Sequence, residues 1–186
     1  MMKIKDIEKA TKKFMKMDKI FIQRDEYNYY ICIEGAVLLK VDGYTYDVMR
    51  TVSNLPEVNK GESKHRYDKK DLFSPSEVDL KERLETLVNA EESVKAVDTN
   101  FLFNDTRYKG NLLKVLASSE TKETIFLNAE YMNIAEAFNI EETWNCKRTT
   151  PFMKAVTSDG IEYGIGVLIL PVRPDDTSDF KLVSRI

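Results

Sequence analysis

Seven lysines fall between positions 3 and 19, at Lys3, Lys5, Lys9, Lys12, Lys13, Lys16 and Lys19, against Asp6, Glu8 and Asp18. A local surplus of ammonium groups is suited to one kind of chemistry, a sequence-independent contact with a phosphate backbone that weakens as salt rises. Exposed lysine has a plainer use as well, since it keeps a surface helix soluble and favours helix formation. The remaining reactive side chains are scattered. His65 is the single histidine, set in a charged stretch that reads as a solvated loop, with no second histidine to share a metal. Cys32 lies in an apolar strand pattern and Cys146 in a polar segment. Two cysteines are too few for a disulfide framework, and their spacing does not suit zinc.

Other patterns fail for stated reasons. The carboxylate pairs Asp42 and Asp47, and Asp175 and Asp176, fall in turns and a tail where solvation accounts for them. A two-metal nuclease would need such groups to converge in space. Gly164-Ile165-Gly166 is not followed by a helix start, so it is no dinucleotide fingerprint, and glycine there marks a bulge or a close backbone approach. Tyr27, Tyr29, Tyr30, Tyr44 and Tyr46 could stack on bases, although tyrosines so placed more often half-bury on a sheet face. The expectation is a protein without catalytic residues, metal or cofactor, with a small-molecule enzyme as the third choice of function.

The chain has 186 residues, 42% hydrophobic and 32% charged, which fits one globular domain rather than a disordered or membrane-embedded one. Its longest apolar stretch, 165–172, is strand-sized and well below the roughly 18 residues of a spanning helix. The first residues alternate charged with apolar types, unlike a secretory leader, so a cytoplasmic home is expected. A formal net charge of -3 gives no bulk basicity to argue from. Any case for nucleic acid must rest on where the lysines sit.

The elements that would position them follow from periodicity. Ile4, Ile7, Ala10, Phe14 and Met17 recur at spacings of three and four, predicting an amphipathic helix over 2–17. A strand at 19–23 and a β-rich run at 29–41 come next. Asp42-Gly43 reads as a hairpin turn, and 44–49 as its return strand. Residues 53–71 read as a long surface loop. Ser74-Pro75-Ser76-Glu77 offers a capping box, opening a helix with Leu80, Leu84, Leu87 and Val88 on one face and Glu77, Asp79, Glu82 and Glu85 on the other. A strand near 93–103 precedes a third helix running to about Ser118, with Tyr108, Leu112, Val115 and Leu116 inward. Strands are expected at 123–128, 152–157 and 163–172, with a turn at 158–160, while 131–147 has no assignment. The two ends share an order of helix, short strand and later Asp-Gly hairpin, which suggests an internal duplication around an insertion.

Three stretches carry a family resemblance: Phe103-Asn104, then Tyr108 with Leu112-Leu113-Lys114-Val115-Leu116, then Val167-Leu168-Ile169-Leu170-Pro171-Val172-Arg173. In this order they resemble the last domain of the bacterial DNA polymerase III β subunit, the sliding clamp. There a Phe-Asn-led helix with Tyr and Leu precedes strands and a closing Met-Pro-Met-Arg-Leu. Here the spacing from Phe-Asn to Leu is longer, Leu170 and Val172 replace the methionines, and the chain continues. The resemblance implies an α+β fold, a DNA-clamp-like domain of two helix-plus-antiparallel-strand halves with an inserted charged loop and helix. Its halves would be about 1–52 and 93–173, with an insertion at about 53–92 and a tail at 174–186.

The resemblance also implies two surfaces. Double-stranded DNA would meet Lys5, Lys9, Lys12, Lys13 and Lys16 on the first helix and Arg107, Lys109 and Lys114 on the third. Replication proteins would dock a short peptide motif in a pocket containing Leu168, Leu170, Pro171, Val172 and Arg173. The bacterial clamp carries three such domains per chain, so a ring of this single domain would require a homo-oligomer or other subunits. The competing expectation is a protein-interaction module, of this or another α+β fold, that binds no DNA. The acidic helix at 77–85 and the balanced overall charge favour it.

Overall fold

A computed structural model describes residues 4–88, 93–107, 111–118, 120, 124–137, 142–146, 153–156, 166–172 and 180–185. Its first element, α1 (Ile4–Phe14), buries Ile7, Ala10, Thr11 and Phe14, the stripe that the three-and-four spacing requires. Buried Thr11 is satisfied locally, its hydroxyl donating to the Ile7 carbonyl at 2.8 Å. Three antiparallel strands follow, β1 (Ile20–Arg24), β2 (Asn28–Ile33) and β3 (Val37–Asp42). The β2–β3 turn places Glu34 and Gly35 at φ of 53° and 70°. Glycine takes this conformation without penalty. Glu34 is anchored there by its carboxylate, which accepts the amides of Asp18 at 2.8 Å and Lys19 at 3.1 Å.

Next comes α2 (Gly43–Thr51), where the sequence predicted a hairpin turn and a return strand. Asp42 is its N-cap, with Oδ1 accepting the Thr45 amide at 2.7 Å. An Asp-Gly pair serves as a helix start as readily as a tight turn. Burial settles the choice: Thr45, Tyr46 and Met49 turn inward on helical spacing. The expected loop at 53–71 is also more ordered than its composition suggests. Leu55 and Val58 are buried, and β4 (Ser63–Arg66) pairs with β1. Ser74 and Pro75 form the short strand β5 (Ser74–Pro75) against β4 rather than capping a helix. The helix itself, α3 (Leu80–Val88), begins five residues later than the capping box predicted and buries Leu80 and Leu84.

The second half corrects the sequence reading more deeply. Strand β6 (Ser93–Asp105) is followed by β7 (Leu112–Ser118), so the third helix does not form. Leu112, Leu113, Val115 and Leu116 satisfy either periodicity over so short a run. The apolar and branched residues of β7 are used in antiparallel pairing with β6 and with β8 (Thr124–Asn128). A helix of this half, α4 (Ala129–Glu136), falls mostly in 131–147, for which the sequence offers no assignment, and β9 (Glu142–Cys146), β10 (Met153–Val156), β11 (Gly166–Ile169) and β12 (Phe180–Arg185) follow.

This is an α+β fold. Eleven strands lie in the order β5-β4-β1-β2-β3-β11-β10-β9-β6-β7-β8, with β12 added beside β6 and every named pairing antiparallel. Two runs of one helix and three strands, α1-β1-β2-β3 and α4-β9-β10-β11, meet through their last strands, so the order β1-β2-β3-β11-β10-β9 is mirrored about the β3–β11 pair. Of the duplication drawn from the sequence, the helix at 104–118 and the Asp42-Gly43 hairpin do not form, while Asp159 and Gly160 lie outside the described residues, between the antiparallel partners β10 and β11.

Alternation along the strands assigns the two faces. On the inner face, Ile20, Ile33, Val37 and Ile169 are neighbours across four strands, as are Ile22, Ile31, Leu39 and Val167. They form one core with Ile7 and Phe14 of α1, Tyr46 and Met49 of α2, and Met132 and Ile134 of α4. On the outer face the row His65, Phe21, Cys32, Leu38, Leu168 crosses from β4 to β11. There Tyr30, Cys32, Leu38 and Leu168 pack with Leu80 and Leu84 of α3.

Candidate nucleic-acid interface

Because α1 buries one stripe against the sheet, its lysines are forced outward. At about 100° per residue, Lys5, Lys9, Lys12 and Lys13 fall within roughly 100° of arc, opposite Ile7, Ala10, Thr11 and Phe14, whereas Lys16 lies in the turn after the helix, which ends at Phe14 rather than at the expected Met17. Lys5, Lys9, Lys12 and Lys16 are exposed, and Lys13 is half-buried. Together with Glu8 these five line an open hollow of about 580 Å³ along the helix. Asp6 and Glu8 sit at the margins of the arc, so the local field is positive along its middle.

Beside α1 lies α4, and the two helices touch. The groove between them, about 400 Å³, is lined by Asp6, Lys9, Ala10, Lys13, Asn133 and Ala137. Lys13 Nζ is 3.6 Å from Glu130 Oε1 across it. The start of α4 was visible in the sequence as a cap residue: Asn128 Oδ1 accepts the Glu130 amide at 2.8 Å. The helix brings no lysine or arginine, and its exposed Glu130 makes it an acidic neighbour.

Arg107 and Lys114, two of the other cationic candidates, lie away from α1, at the end of β6 and on β7. Arg107 follows β6 in a turn, and its guanidinium grips buried Asp105 through Nε at 3.0 Å and Nη2 at 3.1 Å. That contact holds the Asp105 carboxyl below the usual carboxylate range. Lys114 is on β7 and pairs with Asp98 at 2.9 Å. Lys109 lies outside the described residues, as do Tyr108, the 158–160 turn, Gly164, Ile165, Arg173, Asp175 and Asp176.

The closing strand is divided between two environments. Leu168 is buried on the outer face, and Leu170 packs at the edge of the same cluster. Cys32, Gly35, Ala36, Val37, Leu38, Arg83, Leu168 and Leu170 surround a void of about 10 Å³, room for one water at most. Pro171 and Val172 are half-buried beyond it, and the Val172 amide donates to the Phe126 carbonyl at 2.8 Å on the edge of β8.

His65 is a strand residue rather than a solvated loop residue. Its ring stacks on Phe21 at 5.7 Å and meets Tyr67 edge-on at 4.7 Å. Among the described residues no three His, Cys, Asp or Glu side chains are grouped to hold a metal ion. The tyrosines divide as well: Tyr29, Tyr30 and Tyr46 are buried, while Tyr27 and Tyr44 are exposed. No helix of the described residues is long and apolar enough to cross a membrane. No family model and no curated protein matches the chain.

Proposed function

We propose that the protein is a non-enzymatic, DNA-associated clamp-like protein, a replication accessory or mobile-element relative of the sliding clamp working in the cytoplasm. One observation carries this reading: four lysines occupy a single arc of α1 opposite its buried stripe, and Lys16 lies in the turn that follows it. In it, α1 lies along duplex DNA with Lys5, Lys9, Lys12, Lys13 and Lys16 toward successive phosphates, and affinity comes from counterion release rather than base contacts. Leu168, Leu170, Pro171, Val172 and Arg173 serve protein partners through a short peptide.

The test is duplex binding across a salt series. With up to five phosphates neutralised, log K should fall with log salt at a slope of about -3 to -5. Lys9→Glu, Lys12→Glu and Lys16→Glu together should abolish binding without unfolding the chain. Absence of affinity at low ionic strength for the unmodified protein sinks the DNA reading. Light scattering with and without duplex then reports whether a homo-oligomer assembles around it.

A second reading has its own support. Arg107 and Lys114 are already paired with carboxylates, and α3 presents exposed acidic residues outward. A protein-interaction module would keep its partners after the lysine reversals and lose them when Leu170 and Val172 are changed.

A further inference from the structure

Over residues 80–86, helix α3 is fastened to the sheet by few side chains. Of its first seven residues only Leu80 and Leu84 are buried, while Glu82, Arg83, Glu85 and Thr86 are exposed and Lys81 is half-buried. Nine residues are too few for a helix to persist alone in water, so α3 exists because it sits on β1 and β2.

The seat is specific. Gln23 of β1 reaches up and caps the helix from below, its Oε1 accepting the amides of Leu80 at 2.6 Å and Lys81 at 2.9 Å while its Nε2 donates to Asp79 Oδ1 at 3.2 Å. Lys81 pairs with Asp25 at 3.5 Å, and Asp25 also accepts from the Tyr30 hydroxyl at 2.9 Å. In the approach to α3, Leu72 is exposed and β5 contributes only two residues.

Beneath α3 lie Tyr30, Cys32, Leu38 and Leu168, all nearly excluded from solvent. Leu168 belongs to the strand to which the peptide-docking part of the proposed function is assigned. A partner cannot touch that side chain while Leu80 and Leu84 cover its cluster.

We propose that α3 is a reversible strap, an autoinhibitory element that lifts from the outer face as a unit and uncovers Leu168 with its neighbours while the sheet stays folded. The role given to Leu168 rests on the peptide-docking reading, whereas the lifting of α3 does not. Local opening below the cost of global unfolding is expected of a short helix whose described side chains bury only Leu80 and Leu84. Weakening its cap or its leucines should shift the strap toward the open form.

Cys32 supplies the readout, because it is buried beneath the strap and its thiol is pushed up by burial. In a Cys146→Ser chain, modification of Cys32 by an aromatic disulfide reagent is timed against global unfolding followed by far-ultraviolet circular dichroism. Cys32 should react well ahead of global unfolding. Gln23→Ala should raise the rate about fivefold through loss of the cap, and Leu84→Ala by about thirtyfold or more, with the sheet signal retained. If Cys32 reacts only as fast as the whole chain unfolds, in the parent and in Gln23→Ala alike, there is no strap. Peptide binding is scored separately. Fast Cys32 modification in a chain that binds no peptide keeps the strap and removes the docking role of Leu168.

Discussion

Lys13 and Glu130 face each other at 3.6 Å across the groove between α1 and α4, so an acidic side chain of the neighbouring helix reaches the lysine arc. The pair is half exposed on both sides, and such pairs contribute about 0–1 kcal/mol. Its weight is electrostatic rather than structural. Replacing Glu130 by Lys should leave thermal stability within about 1 kcal/mol. It should also raise duplex affinity several-fold at low salt and steepen the salt dependence, measured by fluorescence anisotropy. An unchanged slope would place the groove outside the contact.

Tyr46 ties α2 to the strands. Its ring stacks on Tyr29 with centroids 3.8 Å apart, and its hydroxyl donates to the Pro56 carbonyl at 2.8 Å. Tyr46→Phe keeps the ring and should cost about 1 kcal/mol for the hydrogen bond. Tyr46→Ala opens a cavity in the core and should cost about 3–5 kcal/mol. Urea unfolding of the two variants separates these contributions.

Asp42 distinguishes the helix from the hairpin that the sequence suggested. Asp42→Ala removes the N-cap and should destabilise the protein by about 0.5–2 kcal/mol, with Asp42→Asn close to neutral. Were residues 43–51 a return strand instead, alanine and asparagine at this position would not separate in that way.

Four carboxyls of the described residues sit below their usual range in the folded state, Glu62 through hydrogen bonds from the Asn59 side chain and amide. For Asp105 the cause is the Arg107 side chain, and for Asp79 it is chiefly the Glu82 amide. Burial pushes Asp25 up, but the Asn28 and Tyr27 amides, the Tyr30 hydroxyl and Lys81 outweigh it and leave its pKa lowered. A carboxyl depressed on folding binds fewer protons in the native state. Its stabilisation is therefore complete above the unfolded value, about 3.9 for an aspartate, and is lost as pH falls through the lower folded value. Urea midpoints should fall with acid below about pH 4, and Asp105→Asn should flatten that dependence while lowering stability at neutral pH.

Local rules fixed a good deal in advance. The stripe of Ile7, Ala10 and Phe14 is a helix in any context that offers an apolar surface, and the branched and aromatic run from 29 to 41 forms strands. Those two facts already turn the lysines of α1 outward. Leu80 and Leu84 likewise announce a helix, although its start was misplaced, since Pro75 is taken up at the sheet edge and the capping atoms come from Asp79 and Gln23.

Tertiary contacts decided the rest. Residues 43–49 and 112–116 suit both a helix and a strand over their short lengths, and their local preference is too small to choose. Tyr46 and Met49 are helical because the inner core needs side chains at that spacing, and Leu113 to Leu116 are extended because β6 and β8 offer open ladders. That Val37 to Lys40 pair with Gly166 to Ile169 is a matter of long-range register, which no local pattern encodes. The same register sets α4 beside α1 and puts Leu168 beneath α3. The sequence alone determined that a cluster of lysines must face outward, whereas only the assembled sheet decided which side chains stand next to them.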